Sequence, residues 1–387
     1  MIEQARQHNP EIQAARHRAD AAAAIPDRVS AYDDPMFAYE AFNVPESLRL
    51  DRTDNNIFRV SQRVPFPGKR TLAGTVADHD AEAIRQDVAG VELDVVAAVT
   101  RAYYDLWLAY QTLDVFEREK ALVQRFTHIA EQRYATSEVT QSDVLRSQVE
   151  LTRVINRVTT ERLAIEGARA ELNALLSQAP AEPLGVPESP PVPKLAETAE
   201  QWTALALKQR PEVAAQTAII ARDDSSVRLA HLNYLPDFEF TVGRFINAGR
   251  SDGFGAIASV SIPLAYRAKY AAGVTEANAQ LAAAQSDQRK LQDRIKREVT
   301  QAFVRARTAM LQRDLFLTTH IPQAEQALRV TESGYQTGAV DFLALIDTAR
   351  TIEAVHLEHL QAEADFQKAY ADLERAAGTP PDGENPR

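Results

Sequence analysis

Cysteine is absent from all 387 residues, which rules out a disulfide framework and any thiolate metal site. Long apolar runs are missing as well. No stretch of about 18 apolar residues occurs, so no helix of the sequence is suited to cross a membrane. Basic blocks are lacking, and the formal net charge is −11. A clustered basic face is the footprint of nucleic-acid binding, so no nucleic-acid partner is expected. Met1-Ile2-Glu3-Gln4 runs straight into a polar helical pattern, so no secretory leader is expected within these opening residues. No nucleophile–base constellation emerges either, and neither enzymatic activity nor a cofactor is expected.

What is present is a duplication with an offset of about 200 residues. Asn9-Pro10-Glu11-Ile12 returns as Arg210-Pro211-Glu212-Val213, and Asp34-Pro35-Met36-Phe37 as Leu235-Pro236-Asp237-Phe238. Val60-Ser61 with Val64-Pro65-Phe66 and Lys69 returns as Val260-Ser261 with Ile262-Pro263-Leu264 and Lys269. Tyr134-Ala135-Thr136-Ser137-Glu138-Val139 returns as Tyr335-Gln336-Thr337-Gly338-Ala339-Val340. Two similar units are therefore joined head to tail, and each reads as helix, two strands and two long helices. The first starts almost at its Asn-Pro-Glu landmark, whereas the second has a lead-in helix from about Ala196. A further N-terminal segment carrying an export signal is the expectation.

The first repeat is placed at 1–179 and the second at 196–377, with a proline-rich linker at 180–195 and a disordered polar tail at 378–387. Residues 1–24 read as helix, which Pro26 should end or kink. Period-two alternation predicts strands over 36–42, 56–62, 238–246 and 254–262. The polar loops 43–55 and 247–253 join them in pairs. From Arg70 to Ala135 there is no proline, and Ile84, Val88, Val91, Val95, Ala98 and Ala102 form one apolar stripe. Some 65 residues at ~1.5 Å each would reach roughly 100 Å. Residues 269–334 repeat this long helix, with Pro322 expected to kink it. Shorter helices over 142–176 and 342–377 fold back on the long ones.

Four such strands cannot close a barrel alone. Thirteen of the 25 Phe and Tyr residues nevertheless fall within 32–66 and 234–270, and Tyr32, Phe66, Tyr234, Tyr266 and Tyr270 flank the strands. Aromatics at strand ends, apolar residues on one face and small or polar ones on the other match a membrane β-barrel. A small sheet capping a soluble coiled-coil rod fits the same pattern.

The ensemble resembles the TolC-like outer-membrane efflux family over nearly the whole chain, from Asn9-Pro10-Glu11 to about Ala377. Ser61-Gln62-Arg63-Val64-Pro65-Phe66-Pro67-Gly68-Lys69-Arg70 is similar to the strand-to-helix junction of its heavy-metal branch, the cobalt-zinc-cadmium and copper-silver channels. The resemblance implies a mainly α fold with a small β part. It implies a homotrimer in which four strands per chain build a twelve-stranded barrel within outer-membrane lipid, continued as a periplasmic α-helical tunnel. It further implies a passive exit duct, docked to a periplasmic membrane-fusion adaptor and an inner-membrane RND transporter. Many members carry a lipidated N-terminal cysteine, and this sequence has none. Ducts for drugs or type I protein secretion are alternatives within the family, and a soluble or periplasmic coiled-coil scaffold or adaptor is the alternative outside it.

The same resemblance marks sites. Asp347 matches a pore-facing acidic position, where three copies would form a carboxylate ring that favours cations. Asp143 lies at a similar tip, as a second ring or as a bond holding the gate shut, and Asp341 is expected to be a helix N-cap. The turns Thr136, Ser137, Glu138, Val139 and Thr337, Gly338, Ala339, Val340 are the expected adaptor-docking tips. Pro65, Pro67, Gly68, Lys69, Arg70 and Pro263 mark the barrel-to-tunnel junction. Apart from the resemblance, His356, His359 and Glu363 share one helix face with residue types that suit zinc or copper, but a solvated helix face is the expected reading and no metal site is expected there.

Overall fold

The computed structural model of the protein describes residues 1–44, 46, 53–188, 193, 195, 198–247 and 251–379. Parts of the expected loops (45, 47–52 and 248–250), of the linker (189–192 and 194) and most of the expected tail (380–387) lie outside the described residues, as do residues 196–197. Helices α1 (Ile2–His8), α2 (Pro10–Ala23) and α3 (Ile25–Ser30) lead into strands β1 (Met36–Phe42) and β2 (Asn55–Val64). Helices α4 (Lys69–Ala135), α5 (Gln141–Leu175), α6 (Ala199–Gln209) and α7 (Pro211–Leu232) follow. Then come β3 (Phe238–Asn247), β4 (Gly253–Val260), α8 (Ala271–Leu315), α9 (Ile321–Gln336) and α10 (Phe342–Ala377).

Proline positions account for several boundaries. Pro26 opens α3 within its first turn, where no amide donor is required. The long helix expected over 269–334, with a kink or break at Pro322, consists of α8 and α9 separated by a π-helical turn at Phe316–His320. Pro322 stands in the first turn of α9. It cannot donate to the carbonyl four residues back, so the ladder widens just ahead of it. A second π-helical turn at Tyr266–Tyr270 leads into α8. Strand β4 stops at Val260 rather than 262, two residues before the Ile262–Pro263 bond.

Close contacts divide the chain into two units that cut across the repeats. One comprises Met1–Ala14, Ala89–Arg210 and Gln292–Arg387. Within it, α4 is buried on two sides, which widens the single predicted stripe. Val95, Val99, Ala102 and Leu106 pack with Ile165 and Leu172 of α5. Tyr104 and Trp107 pack with Ala364 of α10. The linker is strapped onto this unit: Asn173 Nδ2 donates to the carbonyls of Pro180 (3.1 Å) and Glu182 (2.9 Å), and the Tyr103 hydroxyl donates to the Glu188 carbonyl at 2.7 Å.

The other unit comprises Ala15–Val88 and Pro211–Leu291. Its sheet is antiparallel with order β1-β2-β3-β4, so the two hairpins join through β2 and β3. Ala83, Ala215 and Ala218 form a small-residue contact between α4 and α7.

Candidate functional site

The two faces of the sheet differ in polarity, one largely apolar and the other mixed. The register aligns Phe37, Val60, Val242 and Ala256 in one row and Tyr39, Phe58, Arg244 and Phe254 in the next, and directly opposed residues share a face. This face is apolar yet open to its surroundings, with Phe37 65% and Phe254 80% exposed. The opposite face mixes Glu40, Arg59, Ser61, Thr241, Gly243 and Gly255 with Met36, Phe42, Ile57, Phe245 and Ile257. There Arg59 pairs with Glu40 at 2.6 Å, and the Ser61 and Thr241 hydroxyls share a hydrogen bond of 2.9 Å. A Cβ at Gly255 would lie 2.5 Å from the Phe245 ring, so a glycine there lets that ring lie across the sheet. Among the described residues, no further strand pairs with the outer edge of β1 or β4. Open edges beside a bare apolar face demand partners.

The strand-to-helix junction is built around a residue that the sequence reading did not single out, Asp237. Its Oδ1 accepts from Lys69 Nζ at 2.7 Å and from the Phe66 amide at 3.0 Å, and its Oδ2 accepts from Arg63 at 3.2 Å. Lys69 Nζ also donates to the Leu235 carbonyl at 2.8 Å. Gly68, with φ of +96°, makes the turn after Pro65 and Pro67. The Arg70 guanidinium lies 3.3 Å above the Tyr32 ring. Pro263 sits in the irregular stretch 261–265 after β4.

The tip turns end α4 and α9 in one manner. Ser137 (φ +64°) and Gly338 (φ +77°) take the left-handed conformation. The Glu138 amide donates to the Arg133 carbonyl, and the Ala339 amide to the Gly334 carbonyl, each at 2.8 Å. These are Schellman closures. Arg133 ties the tips together: it donates to the Tyr335 carbonyl at 2.7 Å, to Glu138 Oε2 at 3.1 Å, and faces the Tyr335 ring at 5.2 Å. Thr136 Oγ1 donates to Glu138 Oε1 at 3.1 Å, and Thr337 Oγ1 to the Gly334 carbonyl at 3.1 Å. Behind them, Phe126, Tyr335, Phe342 and Leu345 form a packed cluster. Val139 and Val340 complete the turns, and a Cβ at Gly334 would meet Val340 at 2.6 Å.

Three aspartates divide by role. Asp341 caps α10, its Oδ1 accepting from the Ala344 amide at 2.8 Å. Asp143 completes a capping box, its Oδ2 accepting from the Thr140 amide (3.1 Å) and hydroxyl (2.8 Å). Asp347 keeps a 63% exposed side chain, with Arg350 as a loose neighbour at 3.7 Å.

His356, His359 and Glu363 do not make the metal site that their spacing allows. Glu363 is engaged by Arg313 and by Gln367, and burial holds both imidazoles below their ordinary range. Among the described residues no group of three or more candidate ligands gathers to hold a metal ion. Besides Asp237 and Arg133, the sequence reading passed over a charge cluster in which the buried Glu119, Glu150 and Glu353 meet Arg157 and Arg350. No local motif marks it, because its partners lie on three different helices.

Similarity to known proteins follows the same architecture. The family described as Outer membrane efflux protein matches residues 1–178 and 202–379, one match in each repeat. The cobalt-zinc-cadmium resistance protein CzcC of Cupriavidus metallidurans is 22% identical over 323 residues, 81% of this chain and 75% of that protein. Protein CyaE of Bordetella pertussis is 28% identical over 233 residues, 56% of this chain and 48% of CyaE, so that match spans about half of CyaE. The crystal structure of the outer membrane protein VceC from Vibrio cholerae aligns with a TM-score of 0.81 at 16% identity, covering 98% of this chain and 95% of that one. That likeness establishes a shared fold.

Proposed function

This chain belongs to the outer membrane efflux protein family, and from that premise we propose that it is the trimeric exit duct for heavy-metal cations in a tripartite pump. The coarser part stands on family membership: it is an outer-membrane efflux channel that extends into the periplasm, and its work is transport rather than catalysis. The observation that carries the proposal is the open four-stranded sheet with one exposed apolar face. Three copies supply twelve strands, close the free edges and turn the apolar face to lipid. The mixed face that bears Glu40, Arg59, Ser61 and Thr241 then lines the lumen. An adaptor meets the tip turns at Thr136–Val139 and Thr337–Val340. An inner-membrane RND transporter supplies the energy.

Two features support metal cations as cargo. Asp347 presents an exposed carboxylate, and three copies around a pore make a ring that attracts cations. CzcC, a relative by sequence, is named for cobalt, zinc and cadmium resistance. The test expresses the full chain in a strain that has lost its own metal-efflux channel but keeps the pump partners. Tolerance of zinc, cobalt and cadmium should rise, and Asp347→Ala should reduce the gain. Restored tolerance of organic drugs with no gain against metals would overturn the metal assignment and leave the channel.

A further inference from the structure

Inside the packing of α4, α5 and α10, three carboxylates are almost fully withdrawn from water: Glu150 at 3%, Glu119 at 6% and Glu353 at 6% exposure. Buried charges persist where they are paired and hydrogen-bonded. Glu150 is well served, since Arg350 reaches both its oxygens, Nε to Oε1 at 3.2 Å, and Arg153 stands 3.4 Å away. Glu353 receives the Arg157 guanidinium directly. Glu119 is left with the remainder. Its Oε2 lies 3.7 Å from the same Arg157 nitrogen, and that buried oxygen has no hydrogen-bond donor among the described residues. Arg157 is held further by the Phe116 ring, 5.4 Å away. One arginine thus faces two buried acids and bonds only one.

A proton is the donor this arrangement lacks. A neutral carboxyl can donate to the neighbouring carboxylate, and two close acids cannot both ionise cheaply away from water. We propose that Glu119 and Glu353 share one proton and form a pH-operated clamp between α4 and α10. Burial first, and then the apposed Glu353 carboxylate, push the Glu119 carboxyl up to about 8, while Arg157 pulls the other way. The proton belongs to the pair rather than to either residue.

The surroundings are consistent with this role. From α5 the pair faces Arg157 and Glu150, and from α10 His356 and the Glu150-bound Arg350. Arg118 of α4 borders the same cavity of about 160 Å³, and Leu328 is the α9 residue lining it. That cavity gives protons a route to the pair. Burial lowers the His356 imidazole, with Glu325 of α9 opposing and Arg118 reinforcing the shift, so His356 is uncharged in the upper part of the window. The folded chain binds the proton more tightly than the unfolded chain, whose carboxyl sits near 4.5. Stability from this pair is therefore complete at acid pH and is lost as pH rises from about 4.5 to about 8.

The test is thermal melting of the purified full chain in detergent, at fixed protein concentration, between about pH 5 and about pH 9. The wild type should lose ~2–6 °C across that range. Glu119→Gln, which keeps the shape of the neutral acid, should flatten the dependence, and Glu353→Gln, which leaves Glu119 buried but removes the apposed carboxylate, should reduce it. An infrared difference spectrum of the wild type between the same two pH values should show a protonated carboxyl band disappearing, and that band should be missing in Glu119→Gln. An unchanged wild-type slope in both variants, or no such band in the wild type, would overturn the shared proton. The infrared readout on the wild type decides the matter even if a variant fails to fold.

Discussion

At position 137 a serine holds φ at +64°, and at position 338 a glycine holds +77°. A side chain pays for that conformation and glycine does not. Ser137→Gly should therefore stabilise the chain by about 0.5–1 kcal/mol, and Gly338→Ala should destabilise it by about 1 kcal/mol. Denaturant melts of the two variants check this, and shifts of the same sign would contradict the account of the turns. Gly338 was legible in the sequence because glycine after a helical run is a stop signal. Ser137 showed only through its alignment with Gly338 in the duplication. The Thr140-x-x-Asp143 spacing is itself a capping signature and could have placed Asp143 in the α5 cap directly. Arg133 carried no signal, since its partner Tyr335 is 202 residues away.

Among the elements, alternation revealed the strands and the absence of proline revealed α4, because both signals are local. The pairing of β2 with β3 was not legible. It joins segments from different repeats, with Val64 opposite Phe238. Asp237 escaped notice for the same reason: its partner Lys69 is 168 residues distant, and in sequence it reads as an ordinary residue after proline. Asp237→Ala should remove the carboxylate contacts to Arg63, Phe66 and Lys69 that fix the first strand-to-helix junction, leave Lys69 half-buried without its anion and cost roughly 1–3 kcal/mol. Its effect should localise. Amide exchange should accelerate at the junction around Phe66, whose amide donates to the Asp237 carboxylate, and stay unchanged at the tips. Acceleration confined to the tips would refute that assignment. The break between α8 and α9 was half legible: Pro322 announces a defect, but its resolution as a five-residue π-helical turn depends on packing.

For the molecule as a whole, the informative feature is the duplication. Each repeat contributes one β-hairpin and one pair of helices joined at a tip, and the outer membrane efflux family matches each repeat separately. The compact units interleave pieces of both repeats, so neither repeat is a self-contained folding unit. A chain of this kind exposes unpaired strand edges and an apolar sheet face, and association within a membrane is the way to satisfy both. The most direct test is single-channel recording in planar bilayers with the purified full chain, after its mass in detergent has been measured. The account predicts a trimer that produces discrete, cation-selective conductance steps. A folded species that remains monomeric in detergent and yields no conductance would contradict it.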